Sequence, residues 1–448
     1  MEALAVSFDI SPPSHLSTAC HGRRNTESKL VAVPFEANIL ALREGDNLVV
    51  VVSLDWFFVS PQMRQHILDH CGGGLGEANL VIAASHAHTS PNTDLTKVGF
   101  SEVDCNYVAR VEDAVAKRVG QIIACSEWIP VQLKFVAAEC DSSVHRRRKI
   151  WWPHACRLRR ITMKYPNPDG PRDKELRMLR VARYDGSALA LLWGISCHPT
   201  EWPRTAELSS DYPGLVRQAL QQKLGAELPV LFLQGFCGDL RPPAIGRWAR
   251  RETLRVRIIM FLCSLVNGKC FAGWSVDDYS RWVDGIQRAA FEAVERSNSQ
   301  EPMMPCLTLS RLTAPLSVIG LSGAMKEIAF HLIDIGEQLR FVGISAEVTW
   351  EYAEIVREID SHKHLWPVGY IDHVFGYLPT EPMLSAGGYE VAGFQHLFGI
   401  DGEFVPTTEQ AIRSCLKTLL FSKDHEHHGI AVETVIAGCT SFEIGDGK

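Results

Sequence analysis

Two histidines one residue apart, His86 and His88, follow a short apolar run and are the first candidates for chemistry in this sequence. On a continuing strand, side chains two positions apart point to the same face, so both imidazoles could bind one metal ion, or one could bind while the other transfers protons. His198 ends a second apolar run, and Glu347 follows a third. A buried carboxylate is costly unless it is paired or bound to a metal. Two histidines and one carboxylate with an open coordination position are typical of a catalytic zinc site, which this sequence therefore predicts.

These residues also have structural interpretations that the sequence leaves open. His198 could be a core histidine bonded to the backbone, and Glu347 could cap a helix that begins at Val348. Cys237, which follows another apolar run, could be the nucleophile of a thiol hydrolase with a nearby histidine. The segment 424–428, which reads DHEHH, resembles a metal site, but its strongly polar surroundings favour a solvated loop.

Short apolar runs that end in polar residues recur along the chain and predict strands; they are 47–54, 79–84, 188–195, 229–233 and 339–344. Candidate helices are 61–71, 106–125, 212–224 and 277–297. Continuous apolar runs are typical of strands buried on both faces, so the sequence predicts an α/β fold with a mixed, largely parallel sheet and flanking helices. Ligands of such sheets bind beyond the carboxyl ends of the strands. We therefore expect the metal site there, within one domain that covers residues 1–448.

The composition is that of a globular protein and limits the classes of partner. Of 448 residues, 46% are hydrophobic, and 45 Lys and Arg against 52 Asp and Glu give a net charge of −7, which argues against general nucleic-acid binding. The 13 cysteines include no CxxC pair, which favours isolated buried thiols in a reducing compartment. Neither a secretion signal nor a membrane-spanning run is evident. We expect a cytoplasmic protein without stable membrane insertion.

Several short segments form an ordered series along the chain. They are SFDISPP (7–13), ASHAHTSP (84–91), VHRR (144–147), SCHPT (196–200), SDYPG (210–214), LQGFCGD (233–239), GYLPT (376–380) and GGYEV (387–391). In this order, and together with Glu347, they resemble the motifs of the neutral, non-lysosomal ceramidase family. The resemblance extends from about residue 5 to about residue 400.

The resemblance implies a zinc ion and a role for each matching residue. The implied metal ligands are His86, His198, Glu347 and Tyr389. The implied catalytic residues are His88, which would transfer a proton, and Arg146, which would face the substrate oxyanion, where a fixed cation stabilises developing charge. The implied reaction is zinc-assisted hydrolysis of an amide bond.

Three departures from the family pattern affect the predicted substrate pocket. Arg241 stands where the family has an active-site serine, and its planar fork suits a carboxylate or phosphate. Asn92 and Asp94 replace glycines after the histidines and predict a narrower, more polar pocket. His396 follows where the family has a further tyrosine, and Tyr377 of the GYLPT segment is also predicted to contact the substrate.

These departures favour a small soluble amide substrate, in a zinc enzyme of specialised metabolism. We also expect no C-terminal β-sandwich domain of the kind that full ceramidases carry. A true ceramidase that cleaves N-acylsphingosine, a catalytically altered pseudoenzyme, and a hydrolase or acyltransferase that depends on Cys237 remain as alternatives. The oligomeric state does not follow from the sequence.

Overall fold

The apolar runs of the sequence form strands, as predicted. The computed structural model describes residues 1–20, 30–154, 157–204, 206–248, 253–361 and 364–421. Its strands are β1 (Glu2–Asp9), β2 (Val31–Val33), β3 (Glu36–Glu44), β4 (Asn47–Leu54), β5 (Leu80–Ala84), β6 (Ile129–Glu139), β7 (Val144–His154), β8 (Arg157–Asn167), β9 (Glu175–Arg183), β10 (Ala188–Gly194), β11 (Leu208–Ser209), β12 (Val230–Phe232), β13 (Leu240–Arg241), β14 (Ile245–Gly246), β15 (Cys270–Phe271), β16 (Leu307–Pro315), β17 (Leu321–Gly323), β18 (Glu327–Ile335), β19 (Leu339–Ile344), β20 (Glu347–Val348), β21 (His364–Val368), β22 (Tyr377–Leu378) and β23 (Ile400–Gly402).

The four predicted helices are present, with ends shifted by one or two residues. The helices are α1 (Met63–Cys71), α2 (Cys105–Ile123), α3 (Asp211–Leu224), α4 (Leu254–Asn267), α5 (Val276–Ser299), α6 (Glu351–Ile359), α7 (Glu381–Ala386), α8 (Gln395–Phe398) and α9 (Thr408–Phe421). Single helical turns cover Glu77–Asn79, Leu316–Ile319 and Tyr389–Gly393. Local sequence fixes several starts, since the Asp104 carboxylate accepts the Tyr107 N–H at the start of α2 and Ser275 with Asp278 forms a capping box on α5. Among the described helices, none is long and apolar enough to cross a bilayer.

The larger sheet has eight strands in the order β12-β10-β9-β6-β1-β3-β4-β5. The outermost pairs, β12 with β10 and β4 with β5, are parallel, whereas the pairs between them are antiparallel. The α/β class is therefore confirmed, but the prediction of a largely parallel sheet is wrong. Runs of apolar residues arise here because both faces of the sheet are covered, which an antiparallel sheet also permits when helices and a second sheet enclose it.

A second sheet of four strands, β16-β18-β19-β21, packs face to face on the first. In β4, Val49 and Val51 face this second sheet and contact a cluster that includes Phe341, whereas Val50 and Val52 face α2 on the other side. Helices α3 and α5 cover the rest of that outer face, and α9 covers β16 and β18. The result is two central sheets between two helical layers. The extent of a single domain over residues 1–448 stays a prediction.

Candidate metal site and its surroundings

Curling of the larger sheet brings together loops that are far apart in strand order. The strand β12, at one edge, reaches β4 because Phe232 both donates to and accepts from the Ser53 hydroxyl, at 3.1 and 2.8 Å. The loops after β5 and β10 then meet, and the His86 and His198 ring centroids lie 4.9 Å apart. Glu347 comes after β19 of the second sheet, in the short strand β20, which pairs with β22 in a separate two-stranded sheet.

Glu347 faces both histidines with one carboxylate oxygen. Its Oε2 lies 3.2 Å from His198 Nε2 and 3.6 Å from His86 Nε2, and all three side chains are buried. The helix that was expected at Val348 begins at Glu351 instead, so the interpretation of Glu347 as a cap of that helix is wrong.

The second nitrogen of each ring is held by a backbone carbonyl. His86 Nδ1 lies 2.9 Å from the Phe57 oxygen, and His198 Nδ1 lies 2.9 Å from the Cys237 oxygen. A carbonyl only accepts, so each Nδ1 carries the proton and each Nε2 presents a lone pair. Among the described residues, neither Nε2 has a hydrogen-bond partner. This arrangement is typical of metal-binding histidines, whose other nitrogen is fixed by an outer partner.

Burial keeps both imidazoles neutral, as metal ligands must be. Burial is the main cause that lowers the pKa of His86, to about 3, although the Glu347 carboxylate raises it in part. The pKa of His198 is also far below its ordinary value, because of burial and then the positive charge of Arg146. Neutral nitrogen donors beside a carboxylate fit a divalent ion such as zinc.

His88 joins the two histidines, but not for the reason expected from its spacing. The strand β5 ends at Ala84 and His86 has a left-handed φ of 61°, so His86 and His88 do not share a strand. A turn instead places the His88 ring centroid 5.0 Å from that of His86 and 5.4 Å from that of His198, and one nitrogen of each ring lies within 4.8 Å of the others. His88 is half-buried, whereas His86 and His198 are buried.

Two tyrosines near Glu347 differ in their contacts. The hydroxyl of Tyr370, which the sequence analysis missed, donates to Glu347 Oε2 at 3.3 Å. The predicted ligand Tyr389 packs against Tyr377 with centroids 5.4 Å apart, and the Lys164 ammonium lies 3.1 Å from its ring centroid. Its role as a metal ligand stays a prediction. Tyr370 follows the apolar strand β21, so the same strand-end pattern that identified the histidines would have found it.

A buried ion-pair cluster sets the position of Arg146. Arg146 Nε donates to Glu390 Oε1 at 2.9 Å, and Arg147 Nη1 donates to Glu390 Oε2 at 2.6 Å. Two consecutive residues of β7 reach one carboxylate because the register of β7 shifts between His145 and Arg147. The Arg146 guanidinium lies 5.4 Å from the Tyr377 ring centroid, and its Nη2 is buried without a hydrogen-bond partner among the described residues.

The predicted substrate residues are differently placed. Tyr377 is buried beside Arg146, whereas His396 is exposed on α8. Arg241 forms an ion pair with Glu201 and lies 4.2 Å from the Phe271 ring centroid, so its charge is already balanced.

The loop residues Asn92 and Asp94 make contacts within the protein. Asn92 donates to the Ser101 carbonyl at 2.8 Å, and Asp94 pairs with Lys97 at 3.3 Å and His373 at 3.0 Å. Through these bonds, both side chains stabilise the loop after the histidines. Substrate contacts of Asn92, Asp94, Arg241 and His396 stay predictions.

Cys237 lies behind His198, on the side away from Glu347. Its sulfur is completely buried, 3.6 Å from His198 Nδ1 and 3.3 Å from the Tyr370 hydroxyl. Burial raises the pKa of this thiol far above its ordinary value, which disfavours the thiolate that a nucleophile needs.

We therefore expect Cys237→Ala to retain kcat and KM, with a loss of about 1 kcal/mol in the free energy of unfolding from the removed contacts. Steady-state kinetics and urea denaturation of the purified variant measure both effects. A loss of activity with an intact fold would support the thiol-hydrolase alternative.

His145 joins β7 to the start of β13 and the start of α6. Its Nε2 lies 3.0 Å from Asp239 Oδ2 and 3.8 Å from Glu351 Oε1, and Asp239 also accepts the Trp350 N–H at 2.8 Å. Burial lowers the pKa of His145, but hydrogen bonds and charge from Asp239 and Glu351 outweigh it and raise that pKa to about 10. These contacts hold Arg146, the next residue, close to Glu347.

The cluster of His145, Asp239 and Glu351 predicts that the free energy of unfolding falls as the pH rises. A histidine whose pKa is raised from 6.5 to about 10 contributes stability that is complete below pH 6.5 and is lost as the pH rises through about 10. Burial raises the pKa of Glu351 to about 7. This shift also makes the free energy of unfolding fall as the pH rises, between the ordinary pKa of a glutamate and pH 7. We expect His145→Asn to flatten the fall in the free energy of unfolding between pH 7 and 10 by about 1–2 kcal/mol. Urea denaturation at pH 7 and at pH 10 measures this change in the free energy of unfolding. The same change for wild type and variant would contradict the prediction.

Comparison with known proteins places this geometry in a known fold. No protein-family model and no curated protein matches the sequence. Among solved structures, the chain is similar to the neutral ceramidase from Pseudomonas aeruginosa, with a TM-score of 0.70 and 15% identity over 96% of this chain and 76% of that chain. A ceramidase complexed with C2 is also similar, with a TM-score of 0.68 and 14% identity over 96% of this chain and 77% of that chain. The resemblance inferred from the motifs is confirmed at the level of structure: this chain has the fold of the neutral ceramidases.

Proposed function

We propose that this chain is a zinc-dependent hydrolase that cleaves the amide bond of an N-acyl substrate. The observation that carries the proposal is the pair of buried Nε2 atoms, on His86 and His198, that lack hydrogen-bond partners among the described residues and face the Glu347 carboxylate. These three side chains would hold the ion. Zinc, when bound, polarises a carbonyl and lowers the pKa of a coordinated water from 15.7 to about 7.

The surrounding residues would position the substrate and move protons. The buried Nη2 of Arg146 would donate to the oxygen of the scissile carbonyl as negative charge develops there. His88, which is half-buried beside both histidines, would deliver a proton to the departing amine. The Tyr370 hydroxyl would hold the Glu347 carboxylate in place through its bond to Oε2. Tyr389, whose ring centroid lies 3.1 Å from the Lys164 ammonium, would be a fourth ligand.

For the substrate, we propose a small soluble N-acyl amide, with N-acylsphingosine as the second candidate. The Asn92 and Asp94 side chains fill space in the loop after the histidines, which supports a small substrate, and both are bonded within the protein. The ion pair between Arg241 and Glu201 weakens the case for an anionic one, because Arg241 would have to leave a buried carboxylate to bind it. The likeness to ceramidases supports the second candidate through the fold alone.

Metal analysis combined with a substrate comparison tests the proposal. We expect about one zinc per chain and chelator-sensitive release of amine from N-acyl amino acid amides, which carry no carboxylate, measured beside a short-chain ceramide. Efficient turnover of the ceramide alone would favour the second candidate. Bound zinc without turnover of either substrate would support a pseudoenzyme, and a protein that binds no zinc would contradict the proposed site.

A further inference from the structure

Helix α4 presents a stripe of apolar side chains to solvent. Leu254, Ile258, Leu262, Leu265 and Val266 are each between 46% and 65% exposed. Their spacing of four, four, three and one residues places them on one face of the helix. The stripe therefore forms a continuous apolar surface rather than isolated exposed residues.

The opposite face of α4 is fixed to the hairpin of β7 and β8. Met260 packs, as Trp152 and Met163 of the hairpin do, against a small core of Ile150, Tyr165 and Cys270. The Asn267 side chain both accepts from and donates to the Trp151 backbone, at 2.8 and 3.0 Å. The orientation of the helix is thus determined by specific contacts. Turning the stripe inward would break them.

The neighbouring hairpin of β7 and β8 also exposes apolar side chains. Trp151, Leu158 and Ile161 are 45%, 60% and 36% exposed. We call these three side chains and the α4 stripe the apolar rim. It contains half of the large apolar side chains that are exposed among the described residues.

The segments that carry the apolar rim are strongly basic. Residues 144–164 and 253–270 contain eleven Lys and Arg but no Asp or Glu, in a chain with 45 basic and 52 acidic residues. Seven of these cations are exposed; they are Lys149, Arg157, Arg159, Arg160, Lys164, Arg255 and Lys269. A positive, apolar surface on a protein of net charge −7 indicates an anionic and apolar partner.

We propose that the apolar rim docks on an anionic lipid surface. An interfacial helix with apolar residues on one face and flanking Arg and Lys binds such a surface by burying the apolar face and attracting the acidic headgroups. A second copy of this chain fits less well, because a two-fold interface would place the same cations against each other. Docking of this kind requires no membrane-spanning helix.

The position of the rim relates it to the candidate metal site. Arg146 lies at the base of the hairpin and Trp151 is five residues further along β7, about 17 Å away at ~3.3 Å per residue. Lys164, at the base of β8, contacts the Tyr389 ring. A docked protein would therefore hold the candidate site close to the lipid surface. The docking itself does not depend on the proposed function.

Co-sedimentation with vesicles tests the docking. We expect the wild-type protein to sediment with vesicles of phosphatidylcholine and phosphatidylglycerol, and much less with phosphatidylcholine alone. Two rim variants should each lower partitioning into the vesicles by about tenfold or more. They are Leu262→Asp/Leu265→Asp and Arg157→Glu/Arg159→Glu/Arg160→Glu. Met304→Asp, at a residue that is 68% exposed outside the rim, is the matched control and should bind like wild type.

Each contrary result would overturn the docking. One such result is wild-type protein that stays in solution with both kinds of vesicle. Another is equal vesicle binding by the rim variants and Met304→Asp. A wild-type dimer on gel filtration that Leu262→Asp/Leu265→Asp converts to monomer would identify the rim as a subunit interface instead. None of these measurements uses enzymatic activity, so loss of the proposed hydrolase function would leave the docking result intact.

Discussion

Glu347→Gln is expected to abolish zinc binding and to lower kcat/KM by at least about a thousandfold, or ~4 kcal/mol of transition-state stabilisation. A neutral amide is a poor zinc ligand, and the glutamine would leave only the two imidazoles to hold the ion. The apoprotein should remain folded, because the substitution removes a buried charge that lies 3.2 and 3.6 Å from two neutral rings. His198→Ala should have the same effect on zinc and activity.

Zinc content per chain, kcat/KM and the thermal midpoint of the same preparations measure this prediction. Glu354→Gln is the matched control, since Glu354 is an exposed carboxylate on the following helix, α6. The control should keep both zinc and activity. A Glu347→Gln protein with full zinc occupancy would show that the metal is bound elsewhere.

Arg146→Met is expected to lower kcat by about 10²–10³ with little change in KM. The reason is that a buried donor aimed at developing negative charge acts mainly in the transition state. The substitution also leaves Glu390 with one arginine instead of two, and removal of one partner of a buried pair costs about 3–5 kcal/mol in the free energy of unfolding. Arg146→Lys keeps the charge but loses the planar fork, so it should retain more stability and still lower kcat.

The Arg147→Met variant separates the effect on kcat from the effect on the free energy of unfolding. Arg147 contacts the same carboxylate, but its other amino group donates to the Gly387 carbonyl at 2.8 Å and is not free for a substrate. We expect a similar loss of stability and a much smaller loss of kcat. Kinetics at saturating zinc, together with urea denaturation of each variant, measure the difference. Equal losses of kcat in both variants would assign Arg146 a structural role only.

The sequence predicted the local elements of this protein well because they depend on short-range patterns. The apolar runs became strands, the four amphipathic segments became helices, and the residues at the strand ends supplied the candidate site. His86, His198 and Glu347 lie close together because each follows a buried strand that ends near the same place, and their role as metal ligands stays a prediction. Tyr370 follows the same rule after β21 and could have been predicted from it.

Only the tertiary structure decided how the strands pair and which groups the candidate ligands face. Apolar runs report burial on both faces and carry no information on strand direction, so the mixed sheet could not be distinguished from a largely parallel one. The meeting of His86 with His198 depends on the curl that joins β12 to β4 through Ser53, a contact between residues 179 positions apart. The pairing of Arg241 with Glu201 and the exposure of α4 likewise depend on long-range packing. The sequence by itself determined which side chains stand at strand ends, and the packing of two sheets determined which of them share one buried centre.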